Sequence, residues 1–416
     1  MNRRDFVRGT LAGVCLAGKV FAGNGRRPKV VLRSSWQAVN IGDIAHTPGV
    51  ITQLERNLPD VEVVLWPMSM NDAVEAMERK RFPKLKILRG KIHMPEIRRE
   101  IEQCDFLLHG SGPSLVATRD FQKIWDEMQK PFGVFGITWN EQTPEAVALL
   151  SKAKFVFFRD SVSLECAKVR GVQSPVMEFG PDGAFSVDLR NEAMAGEFMA
   201  KNGLEPGKFA CVIPRYRKTP YWKIHGKPMT PKDEAYWKYS HSMLEHDHAP
   251  VRDAIVRVVR ELGLKVLICP EDVSQVELGG EIFYNKLPDD VRKKCVWRDT
   301  YWLTDEALSV YTKSVGLFGL EMHSPIMCIG NGIPAIVCRF AQQTSKGFMW
   351  RDIGLSDWLF DLDVESDLPK IGPAVFEMLT NREKSREKVA AAQEVVRQRQ
   401  KRMTDVLWAT LEGKTP

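Results

Sequence analysis

Residues 29–65, KVVLRSSWQAVNIGDIAHTPGVITQLERNLPDVEVVL, decide the fold class. The segment opens with a β-branched apolar run at 29–33, continues with helical spacing of apolar residues at 47–57, and returns to a strand-like run at 61–65. Short apolar strands without polar alternation are typical of a parallel sheet that is buried on both faces. The segment therefore predicts a strand, a helix and a second, parallel strand.

The same alternation continues along most of the 416 residues and restarts once, after a polar stretch near 191–208. It predicts strands at 106–109, 132–137, 155–158, 209–213, 265–268, 315–319 and 334–339, and helices at 96–104, 144–152, 251–262, 324–330 and 383–411. We expect an α/β protein with two Rossmann-like domains facing each other across a cleft. Their expected bounds are 27–195 and 205–365, with a C-terminal helical extension at 366–416.

Residues 1–22 have the pattern of a twin-arginine signal peptide. Arg3 and Arg4 precede a short apolar run at 10–18, and small or branched residues follow at 20–22. We therefore expect export to the periplasm or the medium and no membrane association after cleavage. Cleavage would remove four of the 59 basic and one of the 53 acidic residues, leaving a net charge of +3. That charge is too small to indicate binding to nucleic acid or to an anionic membrane.

The cysteines give no sign of a disulfide framework or a zinc site. Seven remain after the signal segment, no CxxC occurs, and several lie in apolar runs. They are expected to be buried free thiols. No cofactor and no metal ion are predicted from these residues.

Polar residues at strand ends are the first candidates for a binding site, since ligands of open α/β sheets lie beyond the carboxyl ends of strands. Asn40 and Asp43 follow the first strand, and Asp43 could cap the next helix or contact a ligand. Gly110 and Ser111 follow a central strand, where glycine lets a ligand approach the backbone. Arg159 ends another strand, and it could bind a carboxylate or pair with Asp160 for structural reasons.

The second domain offers two arginines and a group of aromatic residues. Arg215 and Arg217 lie just beyond the strand at 209–213, where arginines can bind an anion bidentately. Tyr221 and Trp222 belong to an aromatic-rich insertion at 218–250, which could bind sugar rings or pack within itself. The insertion also contains His241, His246 and His248. Their spacing does not establish a metal site, and the question stays open at this point.

Glu321 and His323 give the sharpest signal, at the end of a predicted strand. Ser324 is expected to cap the helix that follows, with Pro325 in its first turn. Glu321 and His323 would then lie at a helix N-terminus that faces the cleft and favours anionic ligands. A packed core histidine is the alternative for His323.

In order and spacing these motifs resemble the polysaccharide pyruvyl transferase family, over about residues 30–365. The matching motifs are 40–43, 110–112, Arg159-Asp160 with Ser163, Pro181-Asp182, Arg215, His323 with 329–334, Lys346-Gly347-Phe348 and 353–355. The resemblance implies a fold similar to B-type glycosyltransferases. It also implies transfer of pyruvate from phosphoenolpyruvate to two hydroxyls of one sugar, as a cyclic ketal. Arg215 and His323 would match residues that bind the donor.

Glu321 departs from the family pattern, which has arginine at this position. A carboxylate there would repel a doubly anionic donor, so we expect weak phosphoenolpyruvate binding unless Arg217 or Lys346 supplies the missing charge. The expected location also separates the protein from a cytoplasmic donor. Three functions therefore stay open. They are ketal-pyruvyl transfer to a polysaccharide or oligosaccharide, an exported hydrolase that removes pyruvate ketals with Glu321 as general acid, and non-catalytic carbohydrate binding.

Overall fold

The computed structural model describes residues 26–140 and 143–414, so the predicted signal segment at 1–22 lies outside the described residues. The first domain is built on a parallel sheet in the order β3-β2-β1-β4-β5-β6-β7. Its strands are β1 Lys29–Ser34, β2 Glu62–Pro67, β3 Lys86–Ile87, β4 Phe106–His109, β5 Phe132–Ile137, β6 Val156–Phe158 and β7 Met177–Phe179. All strands are parallel, and successive strands are added on one side of β1 up to β3 and on its other side from β4 onward. The point between β1 and β4 is therefore the switch point where ligands of such sheets bind.

Six helices cover this sheet: α1 Ile41–Asn57, α2 Asp72–Arg81, α3 Pro95–Gln103, α4 Thr118–Met128, α5 Pro144–Leu150 and α6 Ser161–Val169. Helix α1 begins six residues before the predicted start at residue 47. The reason is that Asn40 caps it, accepting hydrogen bonds from the backbone N–H groups of Gly42 and Asp43 at 2.7 and 3.1 Å. Asn40 therefore has a structural role at the helix end, and Asp43 is not the cap.

The second domain has a parallel sheet in the order β10-β9-β8-β11-β12-β13. Its strands are β8 Phe209–Ile213, β9 Lys265–Ile268, β10 Cys295–Trp297, β11 Leu317–Gly319, β12 Ala335–Arg339 and β13 Leu359–Asp361. Its helices are α7 Glu192–Asn202, α8 Tyr221–Ile224, α9 Pro231–Ser242, α10 Leu244–Leu262, α11 Gln275–Leu278, α12 Asp289–Arg292, α13 Thr304–Tyr311, α14 His323–Gly330, α15 Met349–Asp352 and α16 Leu368–Thr380. The switch point of this sheet lies between β8 and β11.

The polar stretch near 191–208 contains a helix, α7, that belongs with the second domain. Its residues Ala195 and Met199, together with Leu204 just after it, are buried in the same apolar cluster as strand β8. The second core therefore includes residues that precede position 205, the start of the second domain expected from the sequence.

Helix α17, Arg382–Leu411, connects the two domains instead of simply extending the second. Val389 and Ala392 are buried with the second sheet, whereas Leu407 and Trp408 are buried with the first. One helix thus contributes to both cores. Within the described residues, no helix has the length and apolar character needed to cross a membrane. The seven described cysteines are free thiols, six of them buried and Cys166 half-buried.

Candidate active site between the two domains

The N-termini of α1 and α14 meet between the domains, and we call this contact the junction. Gly42 of α1 lies directly against the ring of His323 at the start of α14. A Cβ atom on Gly42 would come within 2.1 Å of the His323 Cβ atom. Only glycine allows this approach, which gives the 40–43 motif a physical reason. The switch points of the two sheets are thereby brought together.

His46 organises the first-domain side of the junction. Its Nδ1 atom lies 2.8 Å from Asp182 Oδ1 and 2.9 Å from the Ser111 hydroxyl. Arg159 donates to the other Asp182 oxygen at 2.9 Å, so this arginine is used within the protein. Burial lowers the pKa of His46, but the Asp182 and Asp43 carboxylates outweigh it and raise that pKa to about 9. The imidazole of His46 is therefore protonated at neutral pH in this arrangement.

Asp43 lies one helical turn before His46 on the same face of α1. Its Oδ1 atom is 3.7 Å from His46 Nε2, and its Oδ2 atom accepts a hydrogen bond from Gln37. Burial favours the neutral acid, but the nearby His46 imidazole and the other neighbouring positive charges lower the pKa of Asp43. The carboxylate is thus ionised and faces the junction.

His323 stands opposite His46, with the two rings edge to face at 4.9 Å between centroids. Its Nδ1 atom is 3.2 Å from Glu271 Oε1, and the second Glu271 oxygen accepts from the Ser324 N–H at 2.6 Å. Glu271 therefore caps α14, and the expectation that Ser324 is the cap was wrong, because its hydroxyl accepts instead from Tyr311. Burial, together with the Lys346 charge, lowers the pKa of His323 well below its usual value, so the ring is neutral.

Glu321 is fully buried and forms an ion pair with Arg215 across the second-domain side of the junction. Its Oε2 atom accepts from Arg215, and its Oε1 atom accepts from Gln275 at 2.6 Å. Gln275 also donates to Asp272 at 3.2 Å. Burial raises the pKa of Glu321, while the Arg215 charge opposes that shift. Both Glu321 oxygens accept hydrogen bonds here, so in this conformation neither presents a proton to a ligand as a general acid would.

Lys346 supplies a cation on a largely buried residue. The residue is only 8% exposed, and its ammonium group donates no hydrogen bond to any of the described residues. Burial and the neighbouring Arg215 charge lower the pKa of Lys346 to about 8. The group is mostly charged at pH 7, and the carboxylates of Glu321 and Glu271 attract it. An uncommitted ammonium beside Arg215 is suited to an anionic ligand.

Several residues singled out from the sequence have other surroundings. Arg217 was expected to bind an anionic ligand, but its guanidinium instead binds Asp247 at 2.7 Å and Asp363 at 2.5 Å. Trp222 packs edge to face on Trp237 within the insertion. Tyr221 is connected to the junction, since its hydroxyl accepts from Gln37 at 3.3 Å.

Gly110 has a packing role behind the first-domain side of the junction. A Cβ atom there would come within 2.6 Å of the Ser34 hydroxyl, so the strand end tolerates only glycine without rearrangement. The neighbouring Ser111 accepts from the Gly183 N–H at 3.0 Å and donates to Asp182 at 3.2 Å. The small residues of this turn therefore support His46 through Asp182.

The histidines of the insertion do not converge on one point. His241 bonds the Trp237 carbonyl oxygen at 2.8 Å. His246 contacts Asp247 and Glu365. His248 is buried and accepts from the Arg215 N–H at 3.2 Å. These contacts use each ring separately.

Several residues of the junction were not among the predicted site residues, His46, Glu271, Asp272 and Gln275 among them. His46 could have been found from its position three residues after Asp43, one turn along α1. Glu271, Asp272 and Gln275 follow β9, where the sequence carries no recognisable motif. Their place at the junction depends on how the two domains meet.

A sequence profile of the family described as polysaccharide pyruvyl transferase matches residues 40–340, which is most of the chain. The chain therefore belongs to the polysaccharide pyruvyl transferase family, and it is a transferase-type enzyme that acts on carbohydrate. The resemblance found in the motifs is confirmed. No curated protein sequence matches the chain at a significant level.

Solved structures with the same architecture are distant in sequence. A putative UDP-N-acetylglucosamine 2-epimerase from Listeria monocytogenes has 14% identity and a TM-score of 0.58, covering 93% of this chain and 98% of that one. The Neisseria meningitidis UDP-GlcNAc 2-epimerase bound to UDP-GlcNAc has 12% identity and a TM-score of 0.54, covering 91% and 99%. HepE from Anabaena, in complex with UDP and glucose, has 10% identity and a TM-score of 0.54, covering 92% of this chain and 100% of that one. These similarities confirm the two-domain fold alone.

Proposed function

We propose that the chain transfers the pyruvyl group of phosphoenolpyruvate to two hydroxyls of one sugar at the junction. The observation that carries this proposal is Lys346, a residue only 8% exposed whose ammonium group is mostly charged at neutral pH and has no hydrogen-bonded partner among the described residues. Arg215 is near enough for its charge to lower the pKa of Lys346, and its Nε–H has no partner in the described part of the chain. The donor carries a carboxylate and a phosphate, and two neighbouring cations can bind both.

Glu321 modulates this anion site. Its carboxylate already accepts a hydrogen bond from the Arg215 guanidinium, so a donor anion must compete with the Glu321 carboxylate for this arginine. This competition agrees with the weak donor binding expected from the sequence. Lys346, and not Arg217, supplies the compensating charge in this proposal, because Arg217 is held by Asp247 and Asp363. We include Glu321 and His323 in the proposed site. In this proposal Glu321 holds Arg215 in position.

The chemistry requires two proton movements. The donor has a terminal methylene, whereas the ketal product has a methyl group, so one proton must be added to carbon. The two sugar hydroxyls each lose a proton, and the bond from carbon to the phosphate oxygen breaks. One hydroxyl proton thus accounts for the methyl group, and the other leaves with phosphate. Asp272 has a pKa suited to such transfers, since burial and the Glu321 charge raise it to about 6, but like Glu321 it accepts hydrogen bonds at both oxygens in this conformation.

We place the acceptor sugar beside α8. Tyr221 is 43% exposed there and is linked to Asp43 through Gln37, so it borders the junction. An exposed aromatic face with a polar edge suits a sugar ring. Trp222, half-buried against Trp237, supports the same surface from behind.

Export remains a separate proposal that rests on Arg3, Arg4 and the apolar run after them. Replacing both arginines with lysine should leave the precursor in the cytoplasm. Fractionation of cells that express wild type and variant measures this, and equal amounts of exported protein would contradict it.

Transfer is tested with phosphoenolpyruvate carrying carbon-13 in its methylene group and a panel of oligosaccharides. We expect saccharide-dependent phosphate release and a carbon-13 ketal methyl signal by NMR. Lys346→Met should reduce turnover at low donor concentration by about a hundredfold, the loss expected for one buried charge-assisted contact. Lys227→Met, at an exposed lysine outside the junction, is the control. Absence of labelled ketal with every saccharide, or an unchanged Lys346→Met enzyme, would contradict the proposal.

A further inference from the structure

The two junction histidines are held in the same way. The Nδ1 atom of each histidine contacts a buried carboxylate, Asp182 for His46 and Glu271 for His323. Each leaves its Nε2 atom buried and without a hydrogen-bond partner among the described residues. Buried ring nitrogens without partners are uncommon, and a pair of them indicates a missing ligand.

The two histidines lie close to a carboxylate. One possible ligand atom from each of Asp43, His46 and His323 lies within 4.8 Å of the others, and His46 Nε2 is 3.7 Å from Asp43 Oδ1. All three residues are buried, His46 completely. Asp43 and His46 come from the first domain and His323 from the second, so the group forms only where the domains meet.

We propose that Asp43, His46 and His323 bind a divalent first-row transition-metal ion. Two imidazoles and one carboxylate form a ligand set that such ions prefer, and three protein ligands leave further coordination positions for water or a ligand oxygen. The contacts of Nδ1 with Asp182 and Glu271 are the outer partners that orient metal-binding histidines and present Nε2. Binding replaces the proton on His46, since the metal-bound imidazole is neutral.

The charge balance of the junction supports a dication. With His46 neutral, as it is when bound to a metal ion, three buried or nearly buried cations face five buried carboxylates, so the carboxylates exceed the cations by two; the cations are Arg159, Arg215 and Lys346, and the carboxylates are Asp43, Asp182, Glu271, Asp272 and Glu321. Buried negative charge is costly unless it is compensated by protons or cations. One divalent ion supplies the missing two charges at the centre of the group.

The group must contract to bind one ion. Ligand atoms at about 2.1 Å from a tetrahedrally coordinated ion lie about 3.4 Å apart, compared with the present limit of 4.8 Å. The shortest step is for Asp43, whose Oδ1 atom is 3.7 Å from His46 Nε2 and whose other oxygen is held by Gln37. Closing the group draws the two domains together, so the ion should also stabilise their contact.

Cobalt(II) is the probe, because it has a visible spectrum that reports coordination. The full chain is treated with chelator, titrated with Co²⁺, and its melting temperature is followed in parallel. We expect saturable binding of one ion with a visible absorption band and a rise in melting temperature. His46→Gln and His323→Gln should each weaken Co²⁺ binding by at least about a hundredfold. His241→Gln, at a histidine of the insertion, should bind like wild type.

A second measurement does not depend on the variants folding. Crystals of the wild-type chain soaked in Co²⁺ should show an anomalous peak within about 2.3 Å of both Nε2 atoms. No cobalt uptake by wild type, uptake that both glutamine variants retain, or an anomalous peak only at other residues would each overturn the proposal.

Discussion

Arg215 and Arg217 leave the same end of strand β8, two residues apart, yet their guanidinium groups have opposite roles. Arg217 donates through all three of its nitrogens, with both Asp247 oxygens and Asp363 among the acceptors. Arg215 donates through one nitrogen to Glu321, and its Nε–H has no partner among the described residues. Arg217 is therefore part of the fold, whereas Arg215 still has a donor with which to bind a ligand.

The comparison shows that the number of unused donors, not residue type or position at a strand end, distinguishes a binding arginine. An arginine enclosed by carboxylates has nothing left to offer an anion. One that shares a single carboxylate beside a free ammonium can exchange that carboxylate for a ligand. The following predictions test this difference, beginning with the largest effect.

Arg217→Met should lower the free energy of unfolding by about 3–5 kcal/mol, because it leaves the buried Asp247 carboxylate without its cation. Urea denaturation followed by circular dichroism measures the change. Arg260→Met, which removes a surface pair with Asp290, is the matched control and should change little. A loss no greater than that of the control would show that Arg217 is not structural.

Arg215→Met should weaken phosphoenolpyruvate binding by about a hundredfold, because it removes one charge-assisted contact with the donor. The substitution also leaves the buried Glu321 carboxylate without its cation, so binding is measured under conditions where the variant is folded. Isothermal titration calorimetry at pH 7 measures the affinity. Were Arg217→Met, under conditions where it is folded, to lose as much affinity, the distinction between the two arginines would fail.

Glu321→Gln should strengthen phosphoenolpyruvate binding by about tenfold, because the amide keeps the shape of the side chain but removes an anion that competes for Arg215. Asp363→Asn makes the same change beside Arg217 and should leave donor affinity unaltered. The same titration serves for both variants. Unchanged or weaker binding by Glu321→Gln would mean that the donor does not approach this arginine.

Donor affinity should fall as the pH rises through about 8, because Lys346 loses its charge around its lowered pKa. Below about pH 7 the ammonium is charged and affinity should be nearly constant. Titrations between pH 6.5 and 9 measure the effect, which should disappear in Lys346→Met and persist in Lys227→Met. A flat profile in the wild-type chain would remove Lys346 from the anion site.

Most of the fold could be predicted from the sequence because its signals are local. The predicted strands at 106–109, 132–137, 209–213 and 265–268 coincide with β4, β5, β8 and β9. Helix starts were less accurate, because caps depend on particular side chains. Asn40 extends α1 toward its N-terminus, and Glu271 takes the capping role assigned to Ser324.

The site was only partly predictable, because its decisive contacts cross between domains. Arg215, Glu321 and His323 were identified from strand ends and a helix start. The pairing of Arg215 with Glu321, and of His323 with Glu271, joins segments far apart in sequence. Arg217 looked equivalent to Arg215 because nothing local in the sequence indicates that Asp247 and Asp363 enclose it.

A crystal structure of the full chain soaked with phosphoenolpyruvate tests the central claim most directly. We predict donor density within hydrogen-bond distance of the Lys346 ammonium and the Arg215 guanidinium, with the Glu321 carboxylate moved away from Arg215. Density that lies away from the junction, with the pair between Arg215 and Glu321 intact and Lys346 without a ligand, would contradict the account.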